Sequence, residues 1–253
     1  VMLGFMATNA DVGYYGAAVK IKNILVSIVT SLGTVLLPRA AYYIEHQQMD
    51  EFKKLSRKAL NFVFLVASPM MIYFMLFAKQ GIYFLSGDAF GPAVVPMQLI
   101  MPTLLLIGIT NILGIQILVP LGYEKAVLVS EIVGAIIDLV VNALLIPHYQ
   151  SSGAAIGTLL AEFAVMVVQC IALKNEIKSA FSDIKYLKII LAIVLASLAS
   201  CWVTVLNLHV FITLVISAIL FFGVYGVVLI IMKEKLVIEI LTQIFNKLKH
   251  RSA

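Results

Sequence analysis

Three polar side chains share one face of an otherwise apolar stretch at residues 126–147. On an α-helix, Asp138 and Asn142 each fall within about 20° of Glu131, because successive residues advance by about 100°. An ionisable side chain near the centre of a bilayer costs about 2.5–3.5 kcal/mol, so it usually faces a watery cavity or the interior of a helix bundle. We therefore expect Asp138 to take up a proton or a cation, with Glu131 as a second coupling candidate. Asn142 is a candidate for a cavity wall, with hydrogen bonding between helices as the alternative.

A second polar face runs along residues 17–40, where hydrophilic side chains recur every three or four positions. Its members are Lys20, Asn23, Ser27, Ser31 and Thr34. A solvated pathway through the membrane is the simplest explanation, and hydroxyl groups that bond back to their own helix are the alternative. Lys20 would offer a fixed positive charge to an anionic ligand. Lys22 points about 200° away from Lys20 and is predicted to anchor the helix at the interface.

Small residues occupy every fourth position in a third stretch, residues 153–173. They are Gly153, Gly157 and Ala161, and this spacing predicts close packing against another helix. Glu162 lies in the same stretch, one turn after Thr158, so the two side chains could share a face. Cavity lining with a part in cation coupling and a structural hydrogen bond are both open for Glu162.

The elements that must carry these side chains are membrane-spanning helices. Of the 253 residues, 62% are hydrophobic and 12% are charged, whereas a soluble domain carries about 25% charged residues. This composition excludes a soluble architecture, a disordered chain and a nucleic-acid-binding module, despite a net charge of +5. A helix crosses a bilayer in about 20 residues, and seven stretches are long enough. They are 17–40, 60–85, 96–120, 126–147, 153–173, 187–206 and 210–232.

The distribution of lysine and arginine predicts the orientation of these spans. Basic residues near the ends of spans are retained on the cytoplasmic side, and most of the 18 lie in alternate loops and in the tail. We therefore place the carboxy terminus in the cytoplasm. Residues 45–59 and the tail 233–253 are amphipathic, and we expect both to lie on the membrane surface as anchors.

Glycine and proline mark the breaks between and within these spans. Pro69 and Pro102 lie inside predicted spans and are the best candidates for kinks. Loops are predicted at residues 9–16 and 86–92. Residues 1–8 look like the end of a helix already under way, so we expect the chain to be a piece of a longer protein.

The sequence contains no pattern of a catalytic or metal centre. The four histidines lie at the ends of spans or in the tail, two on each predicted side of the membrane, and neither a phosphate loop nor a nucleophile elbow is present. Both cysteines fall within spans and are expected to be small buried hydrophobes. We therefore expect neither an enzyme nor a cofactor or metal site.

Several short motifs occur in a fixed order along residues 1–173. They are Val12-Gly13-Tyr14-Tyr15-Gly16-Ala17-Ala18, Leu36-Leu37-Pro38-Arg39, Gly87-Asp88-Ala89-Phe90, Pro120-Leu121-Gly122-Tyr123, Asn142-Ala143-Leu144-Leu145-Ile146-Pro147 and Gly153-Ala154-Ala155-Ile156-Gly157-Thr158, followed by Glu162. This ordered set resembles the polysaccharide flippases of the multidrug/oligosaccharidyl-lipid/polysaccharide exporter superfamily, the MATE-like transporters. The resemblance implies an all-α integral membrane fold with seven transmembrane helices plus a helix stub.

The same resemblance implies three segments. Residues 1–173 would form the carboxy-terminal lobe of a flippase, with the stub and five spans. Residues 174–232 would add two further transmembrane helices, and residues 233–253 would form an amphipathic cytoplasmic tail.

The resemblance also implies a function. The family moves undecaprenyl-pyrophosphate-linked oligosaccharides from the cytoplasmic to the outer leaflet of the bacterial cytoplasmic membrane by alternating access, for O-antigen or capsule export. The implied partners are the lipid-linked oligosaccharide, membrane lipids, a coupling H+ or Na+ and other polysaccharide assembly proteins, with Lys20 as the position that would meet the pyrophosphate. The alternatives are a drug or lipid II exporter of the same superfamily, a membrane-embedded glycan-assembly enzyme, or a scaffold.

The sequence departs from the family pattern at two places. Position 138 is often asparagine in the family, and Asp138 favours protonation or cation coupling in this protein. The family usually has a glycine soon after Pro147, where this chain has His148-Tyr149-Gln150-Ser151-Ser152. The geometry of that turn is therefore open.

Overall fold

A computed structural model describes residues 1–174, 181, 184–206, 208–239 and 241–242, apart from the side chains of residues 32, 34 and 35. Within these residues the chain is helical and forms no β-strand, which confirms the predicted all-α class. The chain forms two compact units, Val1–Asp183 and Ile184–Ala253. The three predicted segments, 1–173, 174–232 and 233–253, stay predictions.

The first unit contains seven α-helices in its described part. They are α1 (Met2–Met6), α2 (Asn9–Glu45), α3 (Met49–Leu76), α4 (Ala78–Ser86), α5 (Val94–Ile100), α6 (Thr103–Thr110) and α7 (Glu124–Leu173). A 3₁₀ helix at Asp88–Ala93 precedes α5, and a π-helix at Asn111–Leu118 follows α6. The helix α2 packs against α3, α5, α6 and α7, so it lies at the centre of this unit's contacts.

Among the described residues, five helices are long and apolar enough to cross a membrane, or six if one bent pair counts as a single span. The five are Asn9–Glu45, Met49–Leu76, Glu124–Leu173, Tyr186–Leu206 and Val210–Ile231. The bent pair joins Asp88–Ile100 to Thr103–Leu118 at an angle of 42°. This count takes α7 as one span, although its helical backbone is interrupted at Gln150. The number of seven transmembrane helices stays a prediction.

The first two helices differ from the prediction at their starts. The loop predicted at residues 9–16 is helical, because Thr8 and Asp11 form a capping box in which each side chain accepts a hydrogen bond from the other's backbone N–H. The amphipathic segment predicted at residues 45–59 is not a helix of its own. Its basic residues belong to the first turns of α3, which continues without a break into the predicted span, and its place on the membrane surface stays a prediction.

The third predicted span, residues 96–120, is neither straight nor uniformly α-helical. It bends at Pro102, between the end of α5 and the start of α6, as expected for a proline that removes a helix hydrogen bond. In contrast, α3 continues through Pro69 to Leu76. After α6 the span winds into the π-helix, in which Val119 N donates to Gly114 O over 3.0 Å, five residues back.

The π-helix fits against α2 through a glycine. A methyl group at Gly33 would collide with Asn111 and Gln116, which lie five positions apart. A π-turn advances five residues per hydrogen bond rather than four, so this geometry brings both amides onto the same glycine. The turn that follows contains Gly122, whose φ of 81° glycine adopts without steric cost.

The second unit contains α8 (Tyr186–Cys201), a 3₁₀ helix at Trp202–Leu206 and α9 (Val210–Ile231). The ammonium of Lys188 donates to Met232 O over 2.5 Å and to Lys233 O over 3.2 Å, which satisfies carbonyl groups at the end of α9. The predicted amphipathic tail is helical at residues 235–239, after Glu234 accepts a bond from Leu236 N. Most of that tail lies outside the described residues.

Candidate functional site

The polar residues predicted from α7 lie on a helical hairpin. Gln150 has φ 50° and ψ −125°, and at this residue the chain turns back, so residues 124–149 form a first arm and residues 151–173 a second. A positive φ is unusual for a non-glycine residue. The positive φ at Gln150 therefore gives the turn geometry that the sequence left open.

The two arms of α7 approach closely because glycines face the opposite backbone and side chains. A Cβ atom at Gly153 would lie 2.6 Å from Leu145 O, and one at Gly134 would lie 2.5 Å from Val165 Cγ2. Real Cβ atoms do not come that near, so a larger residue at Gly153 would push against backbone and one at Gly134 would require Val165 to shift. The close packing predicted from the small residues of the second arm is confirmed at Gly153 and Gly157.

A cleft of about 260 Å³ lies between the two arms. It is lined by Glu131, Gly134, Ala135, Asp138, Thr158, Ala161, Glu162 and Val165. The three carboxylates that the sequence marks as coupling candidates thus line one cleft, and Thr158 adds a hydroxyl group. Gly134 faces Val165, so the antiparallel register places Asp138 and Glu162 at nearly the same depth. Glu131 lies about 10 Å from Asp138 along the first arm.

The carboxylate of Asp138 is held by an amide one turn away. Asn142 Nδ2 donates to Asp138 Oδ2 over 2.9 Å, and Asn142 is only 8% exposed. Its Oδ1 lies against Gly157, where a methyl group would collide with it, and has no hydrogen-bond donor among the described residues. Asn142 therefore packs between the arms and orients Asp138. Asn142 is not among the residues that line this cleft, and its part in a cavity wall stays a prediction.

Lys22 on α2 has a half-buried side chain, and its positive charge attracts the carboxylate of Glu162. Its predicted place at the membrane interface stays a prediction. Glu131 and Asp138 repel Glu162 in turn. Lys22 is therefore a cation whose charge partly compensates that of Glu162.

The polar stripe of α2 lies apart from the cleft. Lys20, Asn23, Ser27 and Ser31 are exposed, and none of them lines the cleft. Ser27 Oγ donates to Ile24 O over 2.7 Å, and Ser31 Oγ donates to Ile28 O over the same distance. The stripe is therefore an open polar surface on which two hydroxyl groups also bond back to their own helix. The side chain of Thr34 lies outside the described part of the chain.

Sequence reasoning missed the contact that joins α2 to the cleft. The hydroxyl groups of Tyr15 and Thr158 are 2.8 Å apart, although 143 positions separate the residues. Periodicity within one helix carries no signal for such a contact. It also missed Gln169 on the second arm, whose Nε2 donates to Ser130 Oγ on the first arm over 3.3 Å.

The described residues contain no group of three or more His, Cys, Asp or Glu side chains placed to hold a metal ion. This agrees with the separation of Glu131 from Asp138 along the first arm. The oxygen atoms around the cleft are hard donors, which suit a proton or a hard cation. The fold and the cleft together define a multi-pass membrane protein with polar groups placed within its helical core.

The comparisons with known proteins assign that class to a family. Residues 5–232 match the family described as Lipid II flippase MurJ, and the chain belongs to this family. The match covers the first unit from residue 5, the second unit up to residue 232 and all seven predicted spans. It confirms the flippase family expected from the ordered motifs.

Two curated relatives extend the comparison. The chain is 24% identical over 221 residues to an uncharacterized membrane protein of Methanocaldococcus jannaschii. This match covers 87% of the chain and 43% of that protein. It is also 24% identical over 176 residues to the "Putative O-antigen transporter" of Escherichia coli K12. This match covers 70% of the chain and 42% of that protein. The chain thus spans about two fifths of the length of these relatives.

Proposed function

We propose that the protein flips an undecaprenyl-pyrophosphate-linked oligosaccharide from the cytoplasmic to the outer leaflet by alternating access. The observation that carries this proposal is the family match over residues 5–232. The name of the E. coli relative supports a cell-surface polysaccharide as the cargo. O-antigen and capsule precursors share a saccharide, a pyrophosphate and a lipid, so the transporter must meet sugar, negative charge and hydrocarbon together.

The stripe of α2 is the surface that we assign to the polar part of the substrate. Its exposed side chains are an ammonium, an amide and two hydroxyl groups, which can bind phosphate and sugar oxygens. Lys20 supplies the positive charge for the pyrophosphate. Exposed polar groups on a helix of this hydropathy need water or a polar ligand beside them, because a lipid tail offers no hydrogen bond.

The cleft between the arms of α7 is the site that we assign to the coupling cation, H+ or Na+. Asp138 is the principal group, because Asn142 orients its carboxylate and Thr158 lies across the same cleft. Glu162 faces it from the second arm at nearly the same depth. Glu131 is an exposed group near one end of the first arm, where an arriving cation would meet it first.

Asp138→Asn tests the coupling. Asparagine is often found at this position in the family, so the variant should fold, keep flux at a fixed low level and lose its response to sodium or proton gradients. The response is measured as the flux of a fluorescent lipid-linked saccharide in proteoliposomes, in sodium chloride against choline chloride and at a series of pH values. Glu131→Gln is the matched control and should keep most of the sodium or proton response. An unchanged sodium and pH response in Asp138→Asn would place the coupling elsewhere.

Lipid II is the second candidate cargo, favoured by the description of the matching family. Vesicles that contain either lipid II or an oligosaccharide on the same pyrophosphate lipid separate the two. Faster flipping of the longer oligosaccharide supports the first proposal, and faster flipping of lipid II supports the second. A drug exporter would move neither lipid, and a glycan-assembly enzyme or a scaffold would leave flux in liposomes unchanged.

The topology is proposed with the function. We place the protein in the bacterial cytoplasmic membrane with its carboxy terminus in the cytoplasm, as the lysine and arginine distribution indicates. A reporter fused after Ala253 that is active only in the cytoplasm should be active. The same reporter in the turn at Gln150 should be silent. Polysaccharide assembly proteins are the partners that we expect at the cytoplasmic face.

A further inference from the structure

One hydrogen bond connects the cleft of α7 to the helix that carries the polar stripe. Tyr15 on α2 lies 2.8 Å from Thr158 Oγ1, and Thr158 lines the cleft together with Asp138. The ring of Tyr15 also packs against the buried cluster of Leu3, Ile146 and Ala154. The tyrosine therefore lies at a fixed place where α1, α2 and both arms of α7 meet.

The direction of this hydrogen bond follows from the second partner of Thr158. Thr158 Oγ1 lies 3.1 Å from Ala154 O, and a carbonyl oxygen can only accept. The threonine hydrogen therefore points to Ala154, and the phenol of Tyr15 donates to the threonine oxygen. One lone pair of that oxygen is taken by Tyr15, and the other is free to meet a ligand in the cleft.

A cation in the cleft would act against this bond. A positive ion on the threonine oxygen repels the positive hydrogen of the phenol and draws away the electron density that accepts it. The bond and the ion therefore weaken each other, because both draw on the electron density of one oxygen atom. By linkage, the free energy by which the Tyr15 bond weakens ion binding equals the free energy by which the bound ion weakens the Tyr15 bond.

Loss of the bond would be transmitted along α2. This helix runs from Asn9 to Glu45, and Pro38 is its first internal proline. The exposed stripe begins at Lys20, little more than one turn after Tyr15. A shift of α2 at Tyr15 therefore displaces the start of the stripe.

We propose that Tyr15 is a positioning residue that couples cation occupancy of the cleft to the position of α2. When the cleft is empty, Tyr15 holds α2 to the second arm of α7. When a cation binds Thr158, the bond weakens and α2 is released. This inference rests on the proposed function, because it assigns a regulatory contact to the same cation cleft.

Tyr15→Phe removes the hydroxyl group and keeps the ring that packs against the buried cluster. Tyr14→Phe is the matched control, because Tyr14 contacts the ring of Phe90 at 5.7 Å and does not line the cleft. Both variants are made and purified as the full-length protein. Sodium chloride is then titrated in, and choline chloride keeps the ionic strength constant. The midpoint of the sodium-dependent rise in Tm gives the apparent affinity.

We expect Tyr15→Phe to bind sodium about two- to tenfold more tightly than the wild type, the range that corresponds to one net hydrogen bond. Tyr14→Phe should bind as the wild type does. We also expect Tyr15→Phe to lose most of the sodium stimulation of flux, because the contact that senses the ion is gone. A merely structural role would lower Tm without cation and leave the affinity unchanged.

Ser27→Cys, in a background that carries Cys170→Ala and Cys201→Ala, reports the movement of α2. Sodium should change its maleimide labelling rate in the wild type and leave it constant in Tyr15→Phe. An affinity and a labelling response in Tyr15→Phe equal to those of the wild type would overturn the inference and leave the cation site intact. No sodium response in the wild type would overturn the inference, and the pH response of flux in the wild type against Asp138→Asn would then decide separately whether a proton is coupled at the cleft.

Discussion

The cleft of α7 and the stripe of α2 have similar patterns in the sequence but are built differently. In α7 the polar groups lie within a hairpin whose arms touch through glycines, and a buried amide holds Asp138. In α2 the polar groups are exposed, and Ser27 and Ser31 bond to their own backbone. The first arrangement fixes a geometry in advance, whereas the second leaves its groups available to a large polar ligand.

This difference shows how one membrane unit can provide both a site for a small cation and a surface for a long polar ligand. A cation is small and needs oxygen atoms at set distances, which the rigid hairpin provides. A saccharide on a pyrophosphate is long, and an open row of donors along a helix can follow it. Stability should therefore depend on the hairpin, and transport without loss of stability should depend on the stripe.

The largest expected effect comes from filling the contact between the arms. Gly153→Val places side-chain atoms against the backbone at Leu145, which cannot move aside as a side chain can. We expect a loss of about 3 kcal/mol in the free energy of unfolding, at the upper end for overpacking, and little folded protein by size-exclusion chromatography. Gly16→Ala on α2 is the control, because a Cβ atom there meets nothing within 4 Å. Equal yields for the two variants would contradict the hairpin packing.

The next effect comes from removing the carboxylate. Asp138→Ala leaves the buried Nδ2 of Asn142 without its acceptor, which costs about 1–3 kcal/mol for an unsatisfied buried group. The Tm of the purified protein should fall accordingly. Glu131→Ala should leave Tm nearly constant, because that side chain is exposed. A larger drop in Glu131→Ala than in Asp138→Ala would reverse our account of the cleft.

A third prediction concerns Lys20 and separates transport from stability. Lys20→Ala should lower glycan export about tenfold, the loss of one charged hydrogen bond, while Tm stays within one degree of the wild type. Lys22→Ala should instead lower Tm, because Glu162 loses the cation that compensates it. Export can be measured by surface glycan display at matched expression. Normal export in Lys20→Ala would remove the pyrophosphate contact from the stripe.

The smallest effect is expected for the serines. Ser27→Ala deletes a hydroxyl group that already bonds to Ile24 O, so the free energy of unfolding should change by no more than about 0.5 kcal/mol. Export should fall by less than in Lys20→Ala. If Ser27→Ala destabilised the protein as strongly as Asp138→Ala does, the distinction between a fixed cleft and an open stripe would fail.

The class of the fold was predictable because the bilayer imposes a simple rule. Apolar stretches of sufficient length form helices, and the predicted spans at residues 187–206 and 210–232 agree closely with the two spanning helices of the second unit. Small residues at every fourth position predicted the contact at Gly153 and Gly157. The bend at Pro102 was predictable for the same local reason, the loss of a backbone donor.

The errors came from features that depend on more than one element. A capping box at Thr8 turned a predicted loop into the start of α2, and the charged residues after Met49 lie on the same helix as the span that follows. The attraction between Lys22 and Glu162 on the second arm of α7 also joins positions that are distant in sequence. Tyr15 was missed for the same reason, since its partner lies 143 positions away.

The π-helix at Asn111–Leu118 has a consequence for sequence change. A π-turn contains one residue more than an α-turn, so this stretch holds the equivalent of a one-residue insertion between two fixed ends. Removal of Ile115, which is 44% exposed, would allow ordinary α-helical winding while Pro102 and Gly122 stay in place. In an alignment of relatives, a single-residue gap confined to these eight positions would therefore mark a change in winding, with the helices on either side in unchanged register.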